Sequence, residues 1–311
     1  MRALVVSNMM ADPAHPERGS FVRDQVAALC RLEGVEVELY EFPPGARSLG
    51  RAAVELRRRH RGARLDVVHA HFGLTAWPAL AVPARVRALT LHGTDLAHPR
   101  TRLATLAVLG RIDLLATVSG PLRAELPRRA GARARLLPCG VDLDRFVAIG
   151  REQARAELDL PAAGPYLLFA ADPARPEKRH DRARALALAA GAELLSLGGV
   201  APEQVPLWIN AANAVLVPSE REGFGLAVLE ALACDVPVLA TPVGIHAEAL
   251  AGVEGTLCAS WDPVVWGAAL APLLEAGDPR VAGRAAAERY STASTARAVA
   301  DAWRETLGRS G

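Results

Sequence analysis

The chain has few of the features that mark membrane-spanning, disulfide-rich or nucleic-acid-binding proteins. Its 311 residues contain no run of eighteen apolar residues, so we predict no membrane-spanning helix. The opening MRALVVSNMM is typical of a first strand and not of a signal peptide, so we expect a cytoplasmic protein. The four cysteines, Cys30, Cys139, Cys234 and Cys258, form no close pair, which argues against zinc and against a disulfide framework. Aromatic residues make up only 5% of the chain and no groove-reading motif occurs, so nucleic acid is not an expected partner.

Lysine is almost absent, because Lys178 is the only lysine among 36 basic residues. It lies in the loop ADPARPEKRHD, which follows a predicted strand at Tyr166–Ala170. An ammonium kept in an arginine-dominated chain suggests a specific role for this loop, although one residue can also be chance. An ordinary solvated loop is the alternative interpretation.

The small net charge of +2 conceals a difference between the two halves of the chain. Residues 1–150 hold 22 arginines against 14 acidic residues, a net +8, and the remainder is net −6. The cluster RRRHRGAR at 57–64 could contact the inner face of an anionic membrane peripherally, or it could bind an acidic acceptor. A solvated helix face explains this cluster equally well.

The most informative stretch is 213–245, NAVLVPSEREGFGLAVLEALACDVPVLATPVGI. Ala214–Val217 is an apolar run stopped by Pro218, which is typical of a buried strand in a parallel sheet. A polar loop follows, then an apolar-periodic helix, and then a strand that starts at Val238. This unit places charged groups at the carboxyl edge of the sheet, where open α/β sheets bind ligands.

Two carboxylates of this unit, Glu222 and Glu230, have seven residues between them. Eight helical steps of about 100° return to within roughly 80° of the starting direction, so both acids can face one ligand. Gly223 and Gly225 allow close approach of the backbone and leave the first helical amides available to an anion. The alternatives are a helix N-terminal charge for Glu222 and a solvated side chain for Glu230.

The string SEREGFGLAVLEALACDVPVLAT resembles the signature of the family 4 retaining glycosyltransferases, and similar segments extend over nearly the whole chain. The resemblance implies an α/β protein of the GT-B fold, with two Rossmann-like domains facing across a cleft. The alternation of strands and helices along the chain independently indicates parallel sheets with right-handed crossovers. We predict an acceptor-side domain at 1–147, a nucleotide-sugar-binding domain at 148–292, and a last helix, 293–311, returning to the first domain.

In the second domain, the resemblance implies the donor-binding residues. Lys178 matches a family lysine that grips the donor's pyrophosphate, and Arg175 is expected to replace an arginine whose usual place is taken by Asp172. Glu222 is expected to hold sugar hydroxyls near the reacting carbon, and Glu230 the ribose hydroxyls. The remaining donor-binding candidates line the loop between them: Ser219, Gly223, Phe224 and Gly225.

In the first domain, His92 follows a strand and precedes a glycine, a position from which a ring can enter a cleft. The resemblance implies that His92 contacts the donor sugar near the reaction centre, and a structural histidine is the alternative. Gly19 matches a glycine loop that approaches donor or acceptor, or is an ordinary helix start capped by Ser20. Asp95 is expected on the acceptor side. Cys139 stands where the family commonly has asparagine.

No metal or other cofactor is predicted. His69 and His71 lie on one side of a strand, but no carboxylate or cysteine completes a ligand set. Asp142 and Asp144 have the spacing of a metal-binding pair but belong to a Gly-Val-Asp segment that closes the first domain in the family.

The predicted function is therefore retaining sugar transfer from a nucleotide-diphosphate-sugar donor to a glycan, lipid-linked or small-molecule acceptor. The alternatives are a nucleotide-sugar epimerase or hydrolase on the same fold, and a non-catalytic partner protein that binds nucleotide sugars. Release of an epimerised or hydrolysed sugar without an acceptor product would favour the first of these.

Overall fold

The computed structural model describes residues 1–309 and divides the chain into two compact units. Unit 1 comprises Met1–Pro13, Arg18–Gly140 and the described residues from Thr292 onward. Unit 2 comprises Ala14–Glu17 and Val141–Ser291.

Unit 1 is an α/β domain around a six-stranded sheet in which every pairing is parallel, in the order β2-β1-β3-β4-β5-β6. Its strands are β1 (Arg2–Ser7), β2 (Glu36–Glu41), β3 (Leu65–His71), β4 (Ala84–Leu91), β5 (Leu114–Thr117) and β6 (Arg135–Leu136). Its helices are α1 (Ser20–Cys30), α2 (Ala46–Arg59), α3 (Ala76–Ala79), α4 (Thr94–Ala97), α5 (Pro99–Val108), α6 (Gly120–Ala124), α7 (Arg128–Arg133) and α15 (Thr292–Arg309), with short 3-10 turns at Gly73–Thr75 and Leu109–Arg111.

The central strands of unit 1 are buried because helices cover the sheet, as expected for a parallel sheet. Strand β1 is buried from Ala3 to Ser7. Helices α1 and α15 pack together, and Trp303 of α15 is fully buried in the same apolar cluster as the β1 side chains.

Unit 2 has the same architecture on a five-stranded parallel sheet, in the order β11-β10-β9-β7-β8. Its strands are β7 (Tyr166–Phe169), β8 (Glu193–Ser196), β9 (Ala214–Val217), β10 (Val238–Ala240) and β11 (Leu257–Cys258). Its helices are α8 (Arg151–Glu157), α9 (His180–Ala189), α10 (Val205–Ala211), α11 (Leu226–Ala233), α12 (His246–Ala249), α13 (Pro263–Glu275) and α14 (Arg284–Glu288), with a 3-10 turn at Pro176–Lys178.

The prediction of two Rossmann-like α/β domains is confirmed by these two parallel sheets. The segment 18–140 of unit 1 ends seven residues before the predicted boundary at 147, and the chain returns to unit 1 at Thr292. The reason is that Val141 pairs with Ser291 in a parallel bridge and donates its amide hydrogen to the carbonyl of Tyr290, which ties this segment to unit 2. Within residues 1–309, none of the helices combines the length and apolar character needed to cross a membrane.

Candidate active site

The only lysine of the chain forms a buried ion pair in unit 2. Lys178 is the last residue of the 3-10 turn after β7, and its Nζ lies 2.6 Å and 2.7 Å from the two carboxylate oxygens of Glu222. The two side chains are only 13% and 9% exposed. The turn after β7 and the loop after β9 therefore meet through a charge pair largely withdrawn from water.

The charged form of Glu222 is stabilised by its neighbours. Burial alone would raise the pKa of Glu222, but the Lys178 ammonium, with smaller contributions from His246 and the hydroxyl of Ser219, reverses the effect and holds that pKa below its usual value. The Ser219 hydroxyl donates to Oε1 of Glu222 at 2.8 Å. Lys178, Glu222 and Ser219 thus form one hydrogen-bonded group at the carboxyl edge of the sheet.

Further contacts fix the two loops against each other. The amide of Glu220 donates to the carbonyl of Glu177 at 2.9 Å, and Thr241 donates its hydroxyl to the carbonyl of Ser219 at 2.5 Å. Arg179 forms ion pairs with Glu220, in the loop after β9, and with Asp181, at the start of α9. The position of Glu222 is consequently set by backbone and side-chain bonds from three neighbouring segments.

The glycines of this loop are required by close contacts. Gly225 is the N-cap of α11 and has φ +109°, and a Cβ placed on it would lie 2.3 Å from Nε2 of His246. Gly244 has φ +59°, and a Cβ there would lie 2.2 Å from the carbonyl oxygen of Phe224. Phe224 is buried, and its ring packs edge-on against Tyr290 at 5.8 Å. The Gly223–Gly225 segment is therefore held tightly in front of the helix N-terminus, and Gly223 is partly exposed.

Glu230 is the fifth residue of α11 and is partly exposed. The helix begins at Leu226, four residues after Glu222, so helical phasing does not relate the directions of the two acids. The expected positions of Glu222 in the loop and Glu230 in the helix are confirmed, but the helical phasing between them was wrong, because contacts with Lys178 and Ser219 set the direction of Glu222. The ribose-binding role of Glu230 stays a prediction.

Arg175 lies at the exposed edge of the same loop as Lys178. Its guanidinium pairs with Glu177 at 2.7 Å, and the two side chains are 49% and 41% exposed. Asp172 accepts the amide hydrogen of Ala174 at 2.9 Å and so shapes the turn. The pyrophosphate-binding role of Arg175 stays a prediction.

In unit 1, His92 follows strand β4 and belongs to a row of stacked imidazoles. Its ring stacks on His71 at 5.1 Å, and His71 stacks on His69 at 4.8 Å, so the prediction that His69 and His71 share one side of β3 is confirmed. His92 Nε2 lies 2.9 Å from His71 Nδ1, and His92 Nδ1 lies 3.8 Å from the sulfur of Cys139. Burial lowers the pKa of His92 well below its usual value, and His71 and His69 add to the effect, so the ring is neutral near pH 7.

Asp95 organises the backbone around His92. Its two carboxylate oxygens accept amide hydrogens from Gly73 at 2.5 Å, His92 at 2.6 Å and Gly93 at 3.1 Å. Asp95 is buried, and burial raises its pKa although these amides oppose the rise. Its contacts support a role in holding the His92 loop, and the acceptor-side role stays a prediction that these contacts do not favour.

Gly19 is the N-cap of α1 and has φ +73°. A Cβ on Gly19 would lie 2.3 Å from the carbonyl oxygen of Met9, so the close approach itself requires glycine. The alternative with Ser20 as the cap is wrong, because Ser20 is already the first helical residue. A ligand role for Gly19 stays a prediction.

Sequence reasoning did not identify His246 as a member of the site. His246 is fully buried, and its Nδ1 donates to the carbonyl of Thr241 at 2.8 Å. Its Nε2 has no hydrogen-bond partner among the described residues and faces Gly225. The available signal was the segment Gly244-Ile245-His246-Ala247-Glu248, which resembles a Gly-Gly-x-x-Glu turn of the family with its second glycine replaced. Among residues 1–309 no group of three or more His, Cys, Asp or Glu side chains is arranged to hold a metal ion.

Comparison with known proteins identifies the class and then the family. Residues 5–145 match the family described as Glycosyltransferase Family 4, and residues 151–290 match Glycosyl transferases group 1. The protein is a glycosyltransferase with the GT-B fold. More narrowly, the chain belongs to the family 4 glycosyltransferases, as its central motif indicated.

Individual relatives agree with this assignment. A D-inositol 3-phosphate glycosyltransferase of Xylanimonas cellulosilytica is 30% identical over an alignment 304 residues long; the match covers 78% of this chain and 73% of that protein. The sucrose-phosphate synthase of Thermosynechococcus elongatus superposes with a TM-score of 0.77 at 20% identity, covering 99% of this chain and all of that one. Anabaena HepE in complex with UDP-glucose superposes with a TM-score of 0.68 at 15% identity, covering 97% of this chain and 99% of that one. The two structural likenesses concern the fold.

Proposed function

We propose that this glycosyltransferase moves a sugar from a nucleotide-diphosphate-sugar donor to a glycan, lipid-linked or small-molecule acceptor, with retention of anomeric configuration. The observation that supports the proposal most strongly is the buried Lys178–Glu222 pair beside the start of α11. A cation, a carboxylate and a helix N-terminus together suit a substrate that carries a diphosphate and a sugar.

The proposed roles follow from the chemistry of the leaving group. When the bond from the anomeric carbon to the diphosphate breaks, negative charge grows on the diphosphate and requires cations and aimed amides. Lys178 and the amides of Gly223–Gly225 are proposed to supply them, with Arg175 on the exposed side of the loop. Because these protein groups carry the positive charge, the proposed reaction requires no metal ion, and turnover should persist in a chelator.

Glu222 is proposed to accept hydrogen bonds from sugar hydroxyls while it orients Lys178. Lys178 Nζ contacts both carboxylate oxygens of Glu222, and a bound diphosphate is proposed to share the ammonium and leave the carboxylate oxygens to the sugar. Glu230 is proposed to bind the ribose hydroxyls, and His92 to hydrogen-bond the transferred sugar.

The names of the compared proteins suggest which substrates to test first. HepE was crystallised with UDP-glucose, and the relatives are named for D-inositol 3-phosphate, a phosphorylated polyol. The net charge of +8 in residues 1–150 would favour an anionic acceptor or an anionic membrane surface. Sedimentation with anionic and neutral vesicles separates these two partners, because only membrane contact makes the protein sediment with lipid.

The decisive experiment screens nucleotide sugars by thermal shift and then assays the best binder for nucleotide release with and without acceptors. We expect release that depends on an acceptor and a product with the donor's anomeric configuration. Acceptor-independent release or an epimerised sugar would instead show a hydrolase or an epimerase. A matched Glu222→Gln variant keeps the side-chain volume and should lose turnover.

A further inference from the structure

The tautomers of the stacked histidines in unit 1 can be assigned from their neighbours. The Trp303 indole can only donate, and its Nε1 lies 3.2 Å from Nδ1 of His69. The hydrogen of neutral His69 is therefore on Nε2, which donates to the hydroxyl of Thr90 at 2.8 Å. The tautomer of His69 is thus fixed at both ring nitrogens.

The pair formed by His71 and His92 has two arrangements, because a single hydrogen lies between His71 Nδ1 and His92 Nε2, 2.9 Å apart. If His92 donates, the hydrogen of His71 must sit on its Nε2. That atom is buried, and among the described residues it has no hydrogen-bond partner. If His71 donates, its Nε2 is only a bare lone pair.

The second arrangement is favoured, because an orphaned buried N–H is rarer in native structures than an unfilled acceptor. His71 is only 1% exposed, so its Nε2 does not reach bulk solvent. Burial also lowers the pKa of His71 to about 4, which leaves that ring neutral near pH 7. His71 is consequently the donor, and the hydrogen of His92 lies on Nδ1.

Cys139 receives this hydrogen weakly. Its sulfur lies 3.8 Å from His92 Nδ1, and a thiol is a poor acceptor. Burial raises the pKa of the Cys139 thiol to about 12, so no thiolate strengthens the bond. The Nδ1–H of His92 therefore makes only a weak hydrogen bond within the protein, and the His92 side chain is partly exposed.

The orientation of the His92 ring is fixed by aromatic contacts at a strained position. Phe72 lies 4.6 Å and Phe21 lies 5.0 Å from the ring, measured between centroids. Phe72 has φ +75° and ψ 141°, a strained backbone conformation that residues other than glycine rarely adopt. The backbone of Phe72 is thus held in an uncommon conformation while its ring lies against His92.

We propose that His71 is a positioning residue that fixes His92 as the Nδ1–H tautomer, and that an oxygen of the transferred sugar displaces the Cys139 thiol as acceptor of that hydrogen. The choice of a sugar oxygen rests on the proposed function, whereas the tautomer assignment does not. In this proposal His71 acts through His92 and makes no contact with the sugar.

The test is ¹⁵N NMR of the ring nitrogens in the 311-residue chain without ligand, with histidines labelled and His92 assigned by the loss of its signals in His92→Gln. We expect a one-bond N–H correlation at Nδ1 of His92 and an unprotonated Nε2. An N–H at Nε2 of His92 in the parent protein would overturn the proposal without recourse to any variant.

Three variants extend the test. His71→Asn retains an amide N–H close to the place of Nδ1 and should keep the tautomer, whereas His71→Leu should lose it and lower kcat about tenfold or more, with little change in KM. Cys139→Ala should keep the tautomer and most of kcat, because the thiol is the replaceable partner. A tautomer that changes in Cys139→Ala but not in His71→Leu would show that Cys139, not His71, positions His92.

Failure of this proposal is distinguishable from failure of the proposed function. An Nδ1–H tautomer in a protein that releases nucleotide from no nucleotide sugar leaves the His71 assignment standing and rejects sugar transfer. Acceptor-dependent turnover in a protein whose His92 is the Nε2–H tautomer would leave sugar transfer standing and reject the His71 assignment.

Discussion

Removing one partner of the Lys178–Glu222 pair should destabilise unit 2 strongly. At the observed 2.6 Å, two unit charges attract by about 6 kcal/mol with an effective dielectric constant near 20. Desolvation of both groups offsets much of this, but an isolated buried charge keeps its desolvation penalty and loses the attraction. We therefore expect Lys178→Met and Glu222→Gln each to cost about 3–5 kcal/mol.

The double variant should cost less than the sum of the two single variants, because it removes the pair without leaving an unpaired charge. The expected coupling free energy is about 1–3 kcal/mol. Hydrogen exchange of the amides of β9 in the 311-residue chain measures the opening of unit 2 directly, since these amides are bonded within the central sheet.

Arg175→Met is the matched control for this cycle. It breaks the Arg175–Glu177 pair in the same loop, but that pair is 49% and 41% exposed and should contribute less than about 1 kcal/mol. If Lys178→Met were no more destabilising than Arg175→Met, the burial of the Lys178–Glu222 pair would have no energetic consequence and the reasoning would be refuted.

Three further predictions concern other parts of the molecule. Gly225→Ala should abolish nucleotide binding, because φ is +109° at this position and the added Cβ would clash with His246. Gly150→Ala is the control, because Gly150 has φ −53° and open space around its Cβ position. Unchanged nucleotide binding in Gly225→Ala would contradict the loop geometry. The pKa of His71 is about 4 in the folded protein and ordinarily 6.5, so the neutral ring contributes its full stability to unit 1 above pH 6.5 and loses that contribution as the pH falls towards 4. Hydrogen exchange of the β3 amides, converted to a free energy of opening at each pH, should show this loss. The free energy of opening should depend less on pH in His71→Asn. Glu230→Gln should weaken a nucleoside diphosphate about tenfold but leave inorganic pyrophosphate unaffected in calorimetric titrations, and equal weakening of both would reject the ribose role.

The fold and the main loop of the site could be predicted from local sequence because their signals are local. The apolar run Ala214–Val217, the stop at Pro218 and the helical periodicity after Gly225 each depend on neighbouring residues. The pairing of Lys178 with Glu222 also follows from topology, since β7 and β9 are adjacent parallel strands and their carboxyl ends lie side by side.

Contacts made through tertiary packing could not be predicted in this way. His246 reaches Gly225 only because the turn at Gly244 folds back on Phe224, and no periodicity encodes that approach. Cys139 meets His92 although 46 residues separate them, and the sequence showed only that an expected amide was missing. Asp95 likewise accepts amide hydrogens at both carboxylate oxygens, and one of these amides belongs to Gly73, which directly follows the strained Phe72.

The central claim is that Lys178, oriented by Glu222, binds the diphosphate of the donor. Calorimetric titration of a nucleoside diphosphate into the parent, Lys178→Met and Arg184→Met tests it most directly, because Arg184→Met removes the same charge from an exposed position of α9. We predict at least tenfold weaker affinity in Lys178→Met and affinity within about twofold of the parent in Arg184→Met. Equal affinities in all three proteins would contradict the claim.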